Sequence, residues 1–292
     1  MPALPCLVRA GLVTAVLPVL LALAPPFARA EQAVPKRVVS INVCADQLAM
    51  LLADKGQLHS VSALAADPAG SVLAEDAKRY VLNNGLAEEI FMMRPDLVLA
   101  GTYTARASVA MLRRLGVRVE DLPPTNTFAE IRDQIRHVGA LLGRSQRAEE
   151  LVAELDGGLA GVPVPEPGAR RPLAVLHYLN SYTSGLGTLA GEVVIRAGFR
   201  NLGSELGLVG TVHMPLERIV MERPDVIIAE NKAEDVQIHA YDAFEHPALK
   251  AVTAGRPFTS IPDKYWVCGA PFTVEAVRRL ASVAQEVRDR GQ

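Results

Sequence analysis

Aromatic, amide and basic side chains gather where the predicted strands of this chain end. Aromatic rings at such positions can stack on a flat or ring-rich ligand. The guanidinium of Arg106 can pair with a carboxylate or an anionic chelate. Because ligands of parallel α/β sheets meet the loops at the carboxyl ends of the strands, this pattern predicts a ligand-binding cleft. Its candidate residues are Asn42, Asn83, Tyr103, Arg106, Tyr178, Tyr182, His213, Tyr265 and Trp266.

Several of these candidates also have a plainer interpretation. Tyr178 and Trp266 are compatible with packing in a core, and Arg106 with a solvated helix start. His177 and His213 could ligate a metal or haem iron, or they could be ordinary polar residues. No close His pair or His–carboxylate cluster indicates a site for a bare metal ion, so we predict neither a metal nor a cofactor.

The sequence contains none of the short motifs that identify common enzymes. It lacks a Gly-x-Ser-x-Gly elbow, a P-loop and a His-Glu-x-x-His helix. We therefore expect a binding protein without catalytic residues. The alternatives are a secreted hydrolase that uses Ser184 or a carboxylate pair, and a sensor that reports its ligand to a membrane partner.

Two of the three cysteines lie on predicted cleft-side loops, Cys44 early in the chain and Cys268 near its end. An oxidising compartment allows them to form one disulfide, which would restrict opening of the cleft. Two buried free thiols and a soft-metal pair are the alternatives. The third cysteine, Cys6, lies before an apolar stretch and cannot be a lipid-modified cysteine at a cleavage point.

The first 30 residues have the pattern of a secretory signal peptide. Arg9 precedes an apolar stretch from 10 to 24, and Ala28-Arg29-Ala30 is a small-x-small cleavage signal. Cleavage after Ala30 would release a soluble protein into the periplasm; an uncleaved membrane anchor is the alternative. With 30 bases, 32 acids and no basic run, the chain is a poor candidate for binding nucleic acid or an anionic membrane.

Predicted strands and helices alternate after the leader, which favours a mostly parallel α/β fold. Thr127 and Glu130 form a capping box before one helix, and a second helix follows from about 145 to 159. A further helix is predicted at 247–253. We divide the chain into a signal peptide at 1–30, an N-terminal lobe at 31–143, a connecting helix at 144–161 and a C-terminal lobe at 162–292.

One sequence segment occurs twice in the chain, at 88–100 and at 217–229. The two copies align on Arg94-Pro95-Asp96 and Arg223-Pro224-Asp225. Each predicts a helix ended by proline and then a buried strand, because proline cannot continue a helix and moves the residue before it out of the helical region. The repetition predicts two similar lobes with a cleft between them.

The ordered set of features resembles a known family over residues 36 to 290. The strand at 38–40, the paired Arg-Pro-Asp segments, the connecting helix and Tyr182-Thr183-Ser184-Gly185 are similar to the periplasmic binding proteins for iron–siderophore complexes and vitamin B12, which serve ABC importers. The resemblance implies two α/β lobes with mostly parallel sheets joined by one long α-helix. It also implies a monomer whose partners are a metal-chelate ligand and an ABC permease with its ATPase, and which contacts the membrane only through that permease.

The resemblance also implies an acidic residue on each lobe that docks on arginines of the permease. The matching positions are Glu88 and Glu217, with Glu89 as a substitute for Glu88. A glutamate in the first turn of a helix also interacts favourably with the helix dipole, which is the plainer interpretation. Asn83 and Thr211 stand where the B12-binding relative looks to carry tryptophans. We therefore expect an iron–siderophore-like ligand, with corrinoid and haem as alternatives.

Overall fold

Parallel strands dominate the part of the chain that the structure describes. This computed structural model describes residues 33–104, 106–229 and 258–290. The predicted signal peptide and the helix predicted at 247–253 lie outside these ranges. No helix among the described residues has the length and apolar character to cross a membrane.

The first lobe is built on a sheet of five parallel strands. Its strand order is β3-β2-β1-β4-β5. The strands are β1 (Val38–Ser40), β2 (Leu58–Ser62), β3 (Val81–Asn83), β4 (Leu97–Gly101) and β5 (Val119–Leu122). The helices are α1 (Val43–Leu52), α2 (Ala74–Ala77), α3 (Ala87–Met92), α4 (Arg106–Arg114) and α5 (Phe128–Leu141). The order reverses between β1 and β4, and such a switch point opens a crevice at the carboxyl ends of the two strands.

The second lobe begins after helix α6 (Ser145–Ala160), which lies inside the segment predicted to connect the lobes. Its parallel sheet has the order β11-β10-β6-β8, and an antiparallel ribbon pairs β7 with β9. The strands are β6 (Leu173–His177), β7 (Tyr182–Ser184), β8 (Arg200–Asn201), β9 (Thr211–His213), β10 (Val226–Ala229) and β11 (Phe258–Ser260). The helices are α7 (Leu189–Arg196), α8 (Leu202–Glu205), α9 (Leu216–Glu222) and α10 (Thr273–Arg290).

The predicted mostly parallel α/β fold is confirmed, and so is the cap of α5. The hydroxyl of Thr127 accepts the backbone N–H of Glu130 at 3.1 Å. The carboxylate of Glu130 reaches one residue further back than a capping box requires and accepts the N–H of Asn126 at 2.6 Å. Both contacts satisfy backbone donors at the start of the helix, which is why the helix begins there.

The doubled segment forms the same turn in both lobes. Arg94 and Arg223 have φ of 52° and 50°, so the residue before each proline leaves the right-handed helical region, as predicted, and adopts the left-handed conformation. The aspartate that follows each proline then anchors the first strand of its lobe. Asp96 accepts the N–H of Lys36 at 2.6 Å, and Asp225 accepts the N–H of Leu173 at 2.8 Å.

The largest cluster of buried side chains is shared by both lobes, and each lobe has a smaller cluster of its own. The shared cluster includes Leu48 of α1, Ile135 of α5, Leu155 of α6, Leu176 of β6 and Leu280 of α10. Helix α6 packs against α5 on one side and α10 on the other. The connecting helix is therefore part of the core, and the lobes share apolar packing as well as a chain link.

Candidate functional site

A cavity of ≈ 200 Å³ lies at the switch point of the first sheet. It is formed by the loops after β1, β4 and β5 and is closed on one side by the loop before α10. Among the described residues, its lining consists of amide, hydroxyl, aromatic and small apolar side chains and contains no charged residue. The lining residues are Asn42, Cys44, Ala45, Gly101, Thr102, Tyr103, Leu122, Pro123, Pro124, Thr125, Gln134, Val267, Cys268 and Gly269.

Asn42 fixes the floor of this cavity. Its Oδ1 accepts the N–H groups of Cys44 and Ala45, so that Asn42 caps α1. Its Nδ2 donates to Thr104 Oγ1 at 2.8 Å. Gly101 permits this contact, because a β-carbon there would stand 2.6 Å from Asn42 Nδ2. Asn42 therefore lines the cleft, and both ends of its amide have partners within the protein.

Tyr103 lines the cavity, and Arg106 lies beside the Tyr103 ring without lining the cavity itself; we call this pair the rim. The Tyr103 side chain is 72% exposed, and the Arg106 guanidinium carbon lies 5.9 Å from the centre of its ring. This distance is within the range of a cation–π contact. The pair offers a ring face, a phenol and a cation at the cavity mouth, which suits an anionic ligand with a flat or apolar portion.

A disulfide joins the two lobes at the cavity wall. Cys44 of α1 and Cys268 of the loop before α10 are bonded, with their Cα atoms 5.1 Å apart. Gly269 follows directly and packs against α5, where a β-carbon would overlap Thr125 Oγ1 and Ile131. The loop at 267–269 is therefore held on the first lobe both covalently and by close packing.

A second link between the lobes lies at the start of α5. Glu192 of α7 accepts the N–H of Phe128 at 3.1 Å. Burial raises the pKa of Glu192, and the hydrogen bond from Phe128 partly offsets this effect. A carboxylate at a helix N-terminus also complements the positive end of the helix dipole. Together with the disulfide, this contact favours a cleft that opens little.

In the second lobe, Tyr182 and His213 lie on the β7–β9 ribbon, and the backbone of Tyr178 is joined to it. The rings of Tyr182 and His213 meet edge to face with their centres 6.1 Å apart. The N–H of Tyr178 donates to the carbonyl of Tyr182 at 2.8 Å. Tyr182 and His213 are exposed, and Tyr178 is half-buried against the core. This group lies apart from the residues that line the cavity at the first sheet.

Three of the predicted ligand residues have other roles. Asn83 is fully buried, and its Nδ2 donates to Ser40 O and Ser60 Oγ, both at 2.8 Å, while its Oδ1 accepts from Gly85 at 3.0 Å. The prediction for Asn83 is corrected to a scaffold role, because its amide is used in joining neighbouring loops and strands.

Trp266 and Tyr265 also have roles other than the predicted contact with a ligand. Trp266 is 5% exposed and packs in the core, so its ring has no face available to a ligand. Tyr265 is half-buried and lies 4.9 Å from the Arg279 guanidinium of α10. Both contacts attach the loop before α10 to its own lobe. The core interpretation was the alternative for Trp266, and it is the correct one.

Two buried titratable groups lie near the ends of the central strands. Burial raises the pKa of Asp46 to about 6, and a 2.5 Å hydrogen bond from Ser62 Oγ opposes this shift. Burial lowers the pKa of His177 to about 4, so its imidazole is neutral at pH 7. Neither side chain lines the cavity. The described residues contain no cluster of three His, Cys, Asp or Glu side chains that could hold a metal ion.

Glu88 and Glu217 occupy the second position of α3 and α9 respectively, and both are exposed. Each helix runs back along its sheet, so its first turn lies toward the carboxyl ends of the strands. Neither carboxylate has an ion-pair or hydrogen-bond partner among the described residues. Glu89 instead accepts the N–H of Asn84 at 2.8 Å, which makes it a loop contact rather than a substitute for Glu88.

The sequence interpretation missed the part of the cavity formed after β5. Thr125 and Gln134 contribute polar groups there, and Val267 comes from the opposite lobe. A second hollow of ≈ 460 Å³ shares the segment 123–125 and Gln134 with this cavity and is also lined by Glu130, Asp133 and His137. Pro123-Pro124 could have indicated these residues, because it marks the carboxyl end of a strand beside the switch point.

Comparison with known proteins identifies the family. The profile of the family "Periplasmic binding protein" matches residues 38–257. The chain belongs to the periplasmic binding protein family. This is the family that the ordered set of sequence features resembled, and it is a family of extracytoplasmic substrate-binding proteins rather than of enzymes.

One curated relative and two solved structures describe the range of similar proteins. The relative is the uncharacterised ABC transporter substrate-binding lipoprotein YvrC of Bacillus subtilis, 24% identical over 66% of this chain and 63% of its own length. The haem-binding protein RhuT from Roseiflexus sp. RS-1 superposes with a TM-score of 0.71 at 22% identity, over 87% of this chain and 99% of RhuT. A chain of an ABC-type Fe3+-hydroxamate transport system from Saccharomonospora viridis has a TM-score of 0.64 at 22% identity, over 85% of this chain and 93% of its own. These solved structures confirm the two-lobed fold, and the match spans just under two thirds of the curated relative.

Proposed function

We propose that this chain is the solute-binding component of an ABC importer, and that it captures a metal chelate of the iron–siderophore type and delivers it to a membrane permease. The observation that carries the proposal is the cavity at the switch point of the first sheet. Its rim presents Tyr103 and Arg106, and its wall includes a loop of the second lobe. A ligand seated there contacts both lobes, as a binding protein that presents its ligand to a partner requires.

The chemistry of the cavity fits the outer surface of an anionic chelate. A chelate encloses its metal, so the protein meets ring edges, carbonyl oxygens and net charge rather than the ion. The ring of Tyr103 can stack on such a ligand, the Arg106 guanidinium can pair with its charge, and Thr125 and Gln134 can exchange hydrogen bonds with its oxygens. Because the cavity is smaller than most ligand sites, the chelate would extend past the rim toward solvent.

Haem is a second candidate, and corrinoids belong to the same importer class. Tyr182 and His213 meet on an exposed ribbon of the second lobe, and tyrosine and histidine are both ligands of haem iron in proteins. The similarity to a haem-binding protein favours the same alternative. Binding at this ribbon would use residues that the chelate proposal leaves unused, so that substitutions at the two sites distinguish the candidates.

The compartment and the partner follow from the same proposal. We infer that residues 1–30 export the chain and are removed after Ala30, which leaves a soluble monomer in the periplasm. The related YvrC is named a lipoprotein, which is the anchored alternative. Glu88 and Glu217 would then meet basic groups of the permease, since two exposed carboxylates on separate lobes fix the orientation of the complex.

Thermal denaturation in the presence of defined ligands tests the ligand class. Ferric hydroxamates, ferric catecholates, haemin and cyanocobalamin would be added in turn to the purified chain, because a ligand that binds only the folded state raises its Tm. For an iron–siderophore ligand, Arg106→Gln should weaken binding by about tenfold to a hundredfold, as expected when a hydrogen bond to a charged group is lost. Arg114→Gln, an exposed arginine on the same helix, is the matched control.

The outcomes separate the two candidates. In one outcome, haemin raises the Tm of the wild-type chain, and this rise is removed by Tyr182→Ala or His213→Ala and left unchanged by Arg106→Gln. This result would place the binding site at the ribbon and reject the chelate proposal. No shift with any of the four ligand classes would reject both.

Uptake by intact cells tests delivery. Glu88→Lys combined with Glu217→Lys should abolish uptake of the identified ligand while leaving its affinity for the purified protein unchanged, because the carboxylates lie outside the cavity. Glu154→Lys on α6 is the matched control for a charge reversal at an exposed glutamate. Normal uptake by the double variant would remove the docking role.

A further inference from the structure

The doubled segment repeats an exposed methionine as well as a glutamate. Met92 of α3 and Met221 of α9 occupy the same register of the repeat, four residues after Glu88 and Glu217. Their exposed fractions are 78% and 72%, the largest of any methionine among the described residues. Met111, the next most exposed, stands at 44% on α4. Both lobes therefore display the same apolar side chain at the same helical position.

Helix geometry places each methionine beside its glutamate. Residues four apart lie on one helix face, about one turn from each other. Each lobe thus presents a carboxylate at the start of a helix and a thioether one turn further along. On the first lobe, Phe91 at 42% exposure widens the apolar part of this face. We name the pairs Glu88/Met92 and Glu217/Met221 the paired docking points.

Chance is a poor explanation for this arrangement. Single exposed apolar residues are normal on protein surfaces and need no explanation. Here the exposed residue recurs in both lobes, in the same register, and on the same face as a carboxylate that has no ion-pair partner among the described residues. The side chain is also suited to contact, because methionine is unbranched and polarisable and adapts to irregular apolar surfaces.

We propose that Met92 and Met221 are apolar anchors of the complex with the permease. The partner would be a membrane protein with two equivalent sockets, each with a basic rim for the glutamate and an apolar floor for the methionine. The equivalence of the docking points on this chain fits a partner whose two halves are related by two-fold symmetry. This inference rests on the proposed importer function and adds the apolar half of the contact.

The two residue types should then affect different rate constants. Charges at the rim of an interface steer the encounter, so Glu88 and Glu217 set the association rate and its dependence on salt. Apolar groups that become buried slow dissociation, so Met92 and Met221 set the lifetime of the complex and are insensitive to salt. A purely structural role for the methionines would change neither rate.

The test measures binding of the full chain to its permease–ATPase complex in phosphatidylglycerol-containing nanodiscs. Met92→Gln and Met221→Gln keep the length and helix propensity of the side chain and remove its apolar end. Each should raise the dissociation rate about tenfold, and the double variant about a hundredfold, because separate sites without shared partners act additively. Met111→Gln is the matched control and should leave both rates unchanged.

Each outcome decides the proposal. If Met92→Gln and Met221→Gln dissociate like Met111→Gln while charge removal at Glu88 and Glu217 slows association, the anchors are rejected and the importer function stands. If the wild-type chain does not bind the permease complex, both are rejected. If the chain forms concentration-dependent dimers that the methionine variants lose, the face binds a second copy. If the chain binds empty nanodiscs and the methionine variants do not, the face binds lipid. Either result would also overturn the proposal.

Discussion

Removal of the Cys44–Cys268 disulfide should destabilise this protein more than most single changes could. The bond closes a loop with a sequence separation of 224 residues. In the chain-entropy relation, a loop of this length lowers the entropy of the unfolded chain enough to add about 5 kcal/mol to stability. Measured disulfides usually contribute about 2–4 kcal/mol, because native strain and residual structure reduce the effect. We expect a loss of about 3 kcal/mol, or a fall in Tm of roughly 6–12 °C for a domain of this size.

Urea unfolding of the processed chain, with and without a reducing agent, measures this loss. The variant Cys44→Ser/Cys268→Ala is the control, since it should match the reduced wild-type protein and should not respond to reductant. Thiol titration of the unreduced, denatured protein should find no free thiol. Two outcomes would refute the reasoning. Two free thiols would mean that the bond does not form. A difference in unfolding free energy below about 1 kcal/mol would mean that the bond does not restrict the unfolded chain as assumed.

Three further changes should alter stability in defined directions. Asp46→Asn should raise the free energy of unfolding by roughly 3 kcal/mol at pH 7 and flatten the pH dependence of that free energy. The reason is that a buried carboxyl of pKa about 6 makes the wild-type protein more stable as pH falls from about 6 to about 4. Urea unfolding at several pH values across that range measures the difference. Arg94→Gly should be about 1 kcal/mol more stable than Arg94→Ala in thermal melts, because only glycine adopts positive φ without a steric penalty. Glu192→Ala should cost about 1–2 kcal/mol in urea unfolding and Glu192→Gln less, since the glutamine oxygen can still accept the N–H of Phe128.

Local patterns were sufficient to predict the main features of the fold. The capping residue Thr127, the apolar strand at 226–229 and the helix-ending prolines each act within a few residues, so their effect can be derived from the sequence alone. The left-handed conformation of Arg94 and Arg223 could not be derived in this way, because it depends on contacts that are distant in sequence. A residue before proline is normally extended, and here the aspartate after the proline ties the turn to the first strand of the lobe, which lies far away in sequence.

The site was predicted only in part, because side-chain direction depends on tertiary contacts. The loops after β1 and β4 carry the candidates Asn42 and Tyr103, and they meet at the cavity because the strand order places the carboxyl ends of these strands together. Asn83 follows a strand in the same sheet, but its amide turns inward to join Ser40 and Ser60. Trp266 lies two residues before Cys268 of the disulfide and packs in the core. Neither direction is encoded in spacing along the chain.

The core that passes through α5, α6 and α10 has a consequence for how the molecule unfolds. Cooperative units in proteins follow shared buried contacts rather than the number of lobes. Ile135, Leu155 and Leu280 belong to one apolar cluster with strand residues of both sheets, and this shared cluster is much larger than the cluster that each lobe has on its own, so neither lobe can lose its main packing independently. The slowest-exchanging amide hydrogens of β1 and β6 should therefore exchange with the same opening free energy. A fragment cut between the lobes should fail to fold alone.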